Sequence, residues 1–230
     1  MISENPFIPL NLPSINFDIV EERLCQISDI HFENNHAERL INQFHFKTRN
    51  MIRKGVKEGI TISVDNTALD FLYATHVENM AAVGAKHKPE LFFQNIDKFF
   101  ERNTEYKIYV AKQNEKIVAA LLLVYFKDVV EYYHQVIKQE YRILQPNSCL
   151  IFQAMVDSSV KGYNWWNGGW SANNHGALYR FKSRCNSKDY LYNYYIKFNN
   201  KEIFHSSPEE LSKEYPFSYC MPFNLLKSFN

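Results

Sequence analysis

The sequence predicts an α/β protein of the α+β type: a mixed, largely antiparallel sheet with helices on both faces. Three observations carry this. Three strand-like segments follow one another at 106–112 (YKIYVAK), 116–126 (KIVAALLLVYF) and 129–135 (VVEYYHQ), joined by links of three and two residues. Links this short favour antiparallel hairpins. The middle segment is apolar at nearly every position, as a strand covered on both sides must be. Helix-period segments precede and follow this meander, so both faces can be covered.

The elements are justified in chain order. Residues 1–45 are heterogeneous: a proline-rich start, the strand-like FDIVEERLCQIS and then NNHAERLINQFHF. Residues 47–58 (KTRNMIRKGVKE) read as a basic helix weakened by Gly55, with Gly59 as its C-cap and ITISV as a short strand after it. Asp65, Asn66 and Thr67 are N-cap types ahead of a helix whose stripe is Leu69, Leu72, Tyr73, His76, Val77 and Met80. On that stripe His76 reads as a hydrogen-bonded core residue. Pro89 opens a helix carrying Phe92, Ile96, Phe99 and Phe100. After the meander, Pro146 and Asn147 start a helix with the stripe Leu150, Ile151, Ala154 and Met155, closed by Gly162. YNWWN reads as a strand, 175–184 as a short helix, and DYLYNYYIKF as a long strand. SSPEEL is a helix start within a tail, with Ser207 before Pro208.

Composition bounds the function. The chain has 230 residues, 15 Tyr and 18 Phe, enough for a sizeable core, and a formal charge of +1, which gives no basic footprint for long nucleic acid such as DNA. The four cysteines are far apart with no C-x-x-C pair, so a zinc knuckle is not expected and reduced thiols are. No metal spacing of the H-E-x-x-H kind and no G-x-S-x-G elbow occurs, so no metal site is expected. The N-terminus lacks a basic-then-apolar signal pattern, and the longest apolar run, 117–126, is too short to span a bilayer. A soluble, cytoplasmic protein is the expectation.

Three segments carry a family resemblance. KTRNMIRKGVKEGITI (47–62) is similar to a TRN-x-IRKA-type helix before a strand. EYRILQPNSCLIFQAM (140–155) is similar to EYRKLRPN-x-LL. WNGGWSANNHGALYRFKSRCNSK (166–188) is similar to an FGG…GLYRFKxGFG signature. In this order, over roughly residues 40–200, they resemble the FemAB-like acyltransferases, built on the GNAT (acyl-CoA N-acyltransferase) fold. The implied organisation is an N-terminal extension at 1–45 packed on the core, a GNAT-like acyltransferase domain at 46–205 and a C-terminal docking tail at 206–230.

The resemblance implies acyl transfer to an amine, with acyl-CoA as co-substrate and no permanently bound cofactor. Such transfer needs a held donor, a free-base amine and a stabilised oxyanion. Lys182 is the residue expected to offset the oxyanion, aimed inward by Phe181. If 175–184 is helical, Leu178, Phe181 and Lys182 share one face and Arg180 and Arg184 another; the competing structural reading makes all three cations solvated. Arg142, Asn147 and Ser148 lie where the fold holds the donor's pyrophosphate on a helix N-terminus, although RILQPNS has no glycine to ease backbone approach. Arg49 and Arg53, on the basic helix, are further phosphate candidates, against the ordinary reading of a solvated charged face. His134 or Glu131 could supply the base. Their offset places them on opposite strand faces, and His134 has the suitable intrinsic pKa. Trp166, Gly168, Gly169 and Tyr179 would line the substrate site; the tryptophans could equally be core residues beside a glycine turn.

The function expected is N-acyl transfer from a thioester to an amine of a sugar nucleotide or cell-envelope precursor. Two alternatives are aminoacyl transfer from aminoacyl-tRNA to a peptidoglycan precursor, which the small net charge disfavours, and a non-catalytic GNAT-fold binding module.

Overall fold

The computed structural model describes residues 1–7, 15–170, 176–215 and 223. In chain order the elements are β1 (Ile2–Ser3), β2 (Ile19–Asp29), α1 (His36–Gln43), α2 (Phe46–Lys57), β3 (Thr61–Val64), α3 (Leu69–Ala81), α4 (Glu90–Phe99), β4 (Tyr106–Gln113), β5 (Lys116–Phe126), β6 (Val129–Ile137), a 3₁₀ segment (Gln139–Leu144), α5 (Pro146–Val160), β7 (Trp165–Trp170), α6 (Ala177–Ser183), β8 (Lys188–Ile196), a second 3₁₀ segment (Lys201–His205) and α7 (Pro208–Glu214). The chain forms two compact units, Cys25–Asp189 and Met1–Leu24 with Tyr190–Asn230.

In the larger unit the strand order is β2-β7-β6-β5-β4-β3. All these pairs are antiparallel except β6 and β7, which run parallel. The two hairpins are sharp because their loop residues take left-handed backbone: Asn114 and Glu115 after β4, Lys127 after β5. Such turns match the right-handed twist of the strands they join. β5 is buried almost throughout and lies mid-sheet, as its apolar run requires.

Each face of this sheet has its own core. On one face α1, α2 and α5 pack over Tyr109, Ala119, Leu121, Leu123, Val130 and Trp166. On the other, α3 and α4 pack over Ile108, Val110, Ala120, Leu122 and Val136 through Leu72, Phe93 and Ile96. Gly55, a weak point by helix propensity, has a packing reason. A Cβ there would stand 2.4 Å from Cys149 Sγ and 3.2 Å from the Leu144 carbonyl, so glycine lets α2 cross the start of α5 without a clash.

Some expectations are corrected. Asp65 does not cap α3; its carboxylate accepts from the Thr67 backbone and hydroxyl in a turn, and the N-cap residue is Ala68. Phe99 and Phe100 end α4 exposed. The strand expected at 163–167 runs instead from Trp165 to Trp170. His76 is a satisfied core residue: it is 4% exposed and Nε2 accepts the Lys88 N–H at 2.9 Å.

In the smaller unit β1 pairs antiparallel with β8, Ile2 facing Tyr195. Ile19, Ile196, Phe198, Leu211 and Phe223 form its core. Asp18 accepts from the Phe198 N–H at 2.7 Å and pairs with Lys201. α7 begins with the expected Ser207, in a reciprocal capping box with Glu210.

Candidate functional site

The parallel pair β6–β7 is short. Val129, Val130 and Glu131 face Trp165, Trp166 and Asn167, and pairing stops there. On its other side β7 pairs with β2, with Asn167 opposite Ile27 and Trp170 opposite Cys25. Gly168 and Gly169 together therefore oppose the single residue Gln26, which is a β-bulge. Gly169 takes the left-handed φ of +72° such a bulge uses. Asn167 Oδ1 accepts the Gly169 N–H at 2.8 Å and closes the turn.

The bulge receives Lys182. This residue is in the last turn of α6, yet only 9% exposed. Its stem runs past Gly168: a Cβ on that glycine would lie 3.4 Å from Lys182 Cδ and 3.0 Å from the Gln26 carbonyl. Nζ donates to the carbonyls of Gly169 (3.2 Å) and Trp170 (2.9 Å). Burial lowers its pKa to about 8, opposed by the neighbouring Cys25 and Glu131.

Glu131 stands at the last position where β6 pairs with β7. Asn167 Nδ2 donates to its Oε1 at 2.7 Å. Burial raises the pKa of this carboxyl, against the lowering pull of the Asn167 bond and the Lys182 charge. Beside the lysine is a narrow hollow, about 300 Å³ of empty space with the adjoining solvent included, walled by Tyr132, Ile151, Trp166, Phe181 and Cys185 with Gly168. Burial pushes the Cys185 and Cys25 thiols up to about 12, so both are neutral. Cys25, Cys149 and Cys185 are buried, and Cys220 lies outside the described residues.

Of the residues expected at the site, Lys182, Phe181, Trp166, Gly168 and Gly169 come together here. The others do not. His134 faces α3 and α4, with its ring 4.6 Å from His76 and 5.4 Å from Phe93. The β5–β6 register shift beside it sends it there, and burial takes its pKa down to about 3. Tyr179 turns outward and donates to Asp189 at 2.7 Å. Ser148 is buried at 3% exposure, its N–H donating to the Gln145 carbonyl, and the N-cap of α5 is Gln145 with Pro146 as first helical residue. Asn147 keeps a buried Oδ1 with no partner. Arg142 is exposed on the 3₁₀ segment. Arg49 donates to the Asn42 carbonyl and Arg53 to Asn50, both away from the hollow. Within α6 Phe181 and Lys182 turn inward, while Leu178 is 52% exposed and Arg180 is exposed. The residues least visible in sequence are Asn167 and Cys25. Glu131 was one of two candidates for the base, and its place directly opposite Asn167 in the register separates it from His134.

Among the described residues no group of three or more His, Cys, Asp or Glu side chains converges as a metal site, and no helix is long and apolar enough to cross a membrane. Residues 43–182, more than half of the chain, match the family model of the acetyltransferase (GNAT) domain. The chain belongs to this family.

Solved structures agree on the GNAT fold. FemX is 14% identical with a TM-score of 0.64, over 76% of this chain and 62% of that one. A C-terminal domain attributed to a lysylphosphatidylglycerol synthetase from Agrobacterium fabrum is 12% identical with a TM-score of 0.52, over 76% and 60%. L-PGS from Bacillus licheniformis is 15% identical with a TM-score of 0.51, over 80% and 64%. The chain thus spans a little over three fifths of the structures it resembles. No curated protein matches it.

Proposed function

We propose that this GNAT-family chain is an N-acyltransferase that moves an acyl group from a thioester donor, acyl-CoA, to an amine of a sugar nucleotide or cell-envelope precursor. The observation that carries the reading is a buried ammonium, Lys182, within electrostatic reach of a half-buried carboxylate, Glu131, at the point where β6 and β7 part. The family membership supports acyl transfer, and the gap beyond the last β6–β7 pair suits an extended donor arm.

The chemistry follows from these two groups. The amine loses a proton to Glu131, whose raised pKa makes it a better acceptor than an ordinary carboxylate. The nitrogen attacks the thioester carbonyl, a C–N bond forms, and the oxyanion develops near Nζ of Lys182. In a site shielded from water that cation counts for far more than on a surface. Collapse breaks the C–S bond and the thiolate leaves. Lys182 is charged below about pH 8, so it is cationic at neutral pH.

A second reading is aminoacyl transfer from aminoacyl-tRNA to a peptidoglycan precursor. It is favoured by the likeness to FemX and by the exposed basic face of α2, with Lys47, Arg53, Lys54 and Lys57. The two readings separate in thermal shifts with acetyl-CoA, uridine nucleotides and tRNA, because a bound donor stabilises by mass action. Acetyl-CoA stabilisation followed by label transfer to an amine supports the first. Stabilisation by tRNA alone supports the second. Binding of coenzyme A with no turnover over a broad amine panel would reduce the chain to a binding module.

A further inference from the structure

Asn167 makes more of the site than its place in a glycine turn requires. Its side-chain amide is used at both ends. Nδ2 donates to Glu131 Oε1 at 2.7 Å, and Oδ1 accepts from the Gly169 N–H at 2.8 Å. The assignment is fixed by the partners, since a backbone N–H only donates and an ionised carboxylate only accepts. The second bond pins the bulge in which Gly169 sits at positive φ, and the carbonyls of Gly169 and Trp170 leaving that bulge hold the Lys182 ammonium. One rigid planar group therefore links the carboxylate to the cradle of the cation. It does so at the last residue pair before β6 and β7 separate.

We propose that Asn167 is the positioning residue of the site: a single side-chain amide that sets the distance between the Glu131 carboxylate and the Lys182 ammonium and keeps them from closing on each other as an ion pair. The inference rests on the reading of these two groups as the acid–base and oxyanion elements of acyl transfer.

The separation matters chemically. A carboxylate in direct contact with the lysine would be a poor base, and a lysine neutralised by a carboxylate would do little for an oxyanion. The carbonyls of Gly169 and Trp170 are neutral acceptors for Nζ and do not cancel its charge. The bond from Asn167 occupies one carboxylate oxygen and leaves the other for a proton. Glutamine at this position would reach too far to close the two-residue turn. Aspartate would close the turn and set a second negative charge against Glu131. The charged and titratable groups around the pair are Lys182 from α6 and Cys25 from β2, with Asp189 of β8 acting on Cys25. Cys25 is neutral over the working range, so beyond burial, which is the largest cause, the titration of Glu131 reports on Asn167 and Lys182.

The test needs no substrate. Glutamate labelled with ¹³C at Cδ is titrated by NMR in wild type, Asn167→Asp and Asn167→Ala, with Glu131→Gln to assign the signal. Labelling of Lys182 by trinitrobenzenesulfonate is followed against pH by peptide mass spectrometry. Asn167→Asp keeps the turn and should fold, with a lower thermal midpoint at neutral pH that recovers as the pH is lowered, while the Glu131 titration moves up by about one unit or more and that of Lys182 moves up with it. Asn167→Ala releases the bulge, and Lys182 labelling at pH 8 should accelerate about tenfold as its cradle loosens. If Asn167→Ala does not fold, Asn167→Asp decides. An unmoved Glu131 midpoint in folded Asn167→Asp overturns the proposal, as does unchanged Lys182 labelling in folded Asn167→Ala. The outcome is independent of the functional reading. Absence of acyl transfer with every donor would sink that reading and leave these titrations standing. Unmoved titrations in an active enzyme would remove only the role of Asn167.

Discussion

Lowering the pH from 7.5 to 5 should weaken the fold through one buried pair of histidines. His76 and His134 pack ring to ring at 4.6 Å under α4, against Phe93. Burial first, and the Lys88 charge second, lower their pKa values to about 4 and about 3, from 6.5. A group whose folded pKa is depressed in this way stays neutral in the fold while the unfolded chain takes up protons. Stability is therefore complete above pH 6.5 and falls as pH drops below it, until the folded pKa is reached. At pH 5 both folded values still lie below the solution pH, so each histidine costs about 2 kcal/mol, from about 1.5 units at about 1.36 kcal/mol each. The pair together costs about 4 kcal/mol, a large share of the ~5–15 kcal/mol typical of a folded domain. Glu131 acts in the opposite sense, because a raised carboxyl pKa is relieved on protonation. Asp97, held near 2 chiefly by Arg102, becomes relevant only below about pH 4. The assay is urea unfolding at pH 7.5, 6.5 and 5 for wild type and His134→Phe, which fits the aromatic surroundings. The wild type should lose about 4 kcal/mol across the range, and His134→Phe about half of that. Equal pH slopes in the two proteins, or a wild-type loss below about 1 kcal/mol, would refute the reasoning.

Three further outcomes are expected. The pH profile of acyl transfer should be bell-shaped, with an alkaline limb near 8 from Lys182 and an acid limb above the ordinary glutamate value from Glu131; Lys182→Met should lower kcat by about 100-fold or more with little change in KM, whereas a change in KM alone would remove the oxyanion role. Gly168→Ala should fold but lose activity, because the new methyl would lie 3.0 Å from the Gln26 carbonyl and 3.4 Å from the Lys182 stem; full activity would show that the lysine need not pass there. Gly55→Ala should destabilise by about 1–3 kcal/mol through the clash with Cys149 Sγ, and Cys149→Ala in the same chain should recover part of that loss in a double-mutant cycle of urea midpoints.

What the sequence disclosed, and what it withheld, follows from the range of each interaction. The β4–β5–β6 meander was legible because its signals are local: apolar runs with two tight links. Lys182 was legible through the RFK motif, and its burial could be inferred from the neighbouring Phe181. The base was not. His134 and Glu131 are three residues apart, and a single register shift between Leu122 and Leu123 decides what each one faces. No local pattern announces such a shift. Asn167 was hidden for another reason: its partners are 36 residues upstream and two residues downstream, and only the strand pairing brings them together. The role of the α2 arginines was not legible because a basic helix looks the same in sequence whether it faces a phosphate or water.

The parallel alignment of β6 with β7 has a consequence for how the molecule comes together. Hairpins can zip from their turns, but Glu131 meets Asn167 only after the intervening chain has wound into α5 and docked across the sheet. Loop closure has to precede the reward, so this junction should be among the late steps of folding and among the early ones lost under mild denaturant. Amide exchange should register it as faster opening along Trp165–Trp170 than along β4 and β5. A preparation with intact circular dichroism could then still be without its working centre.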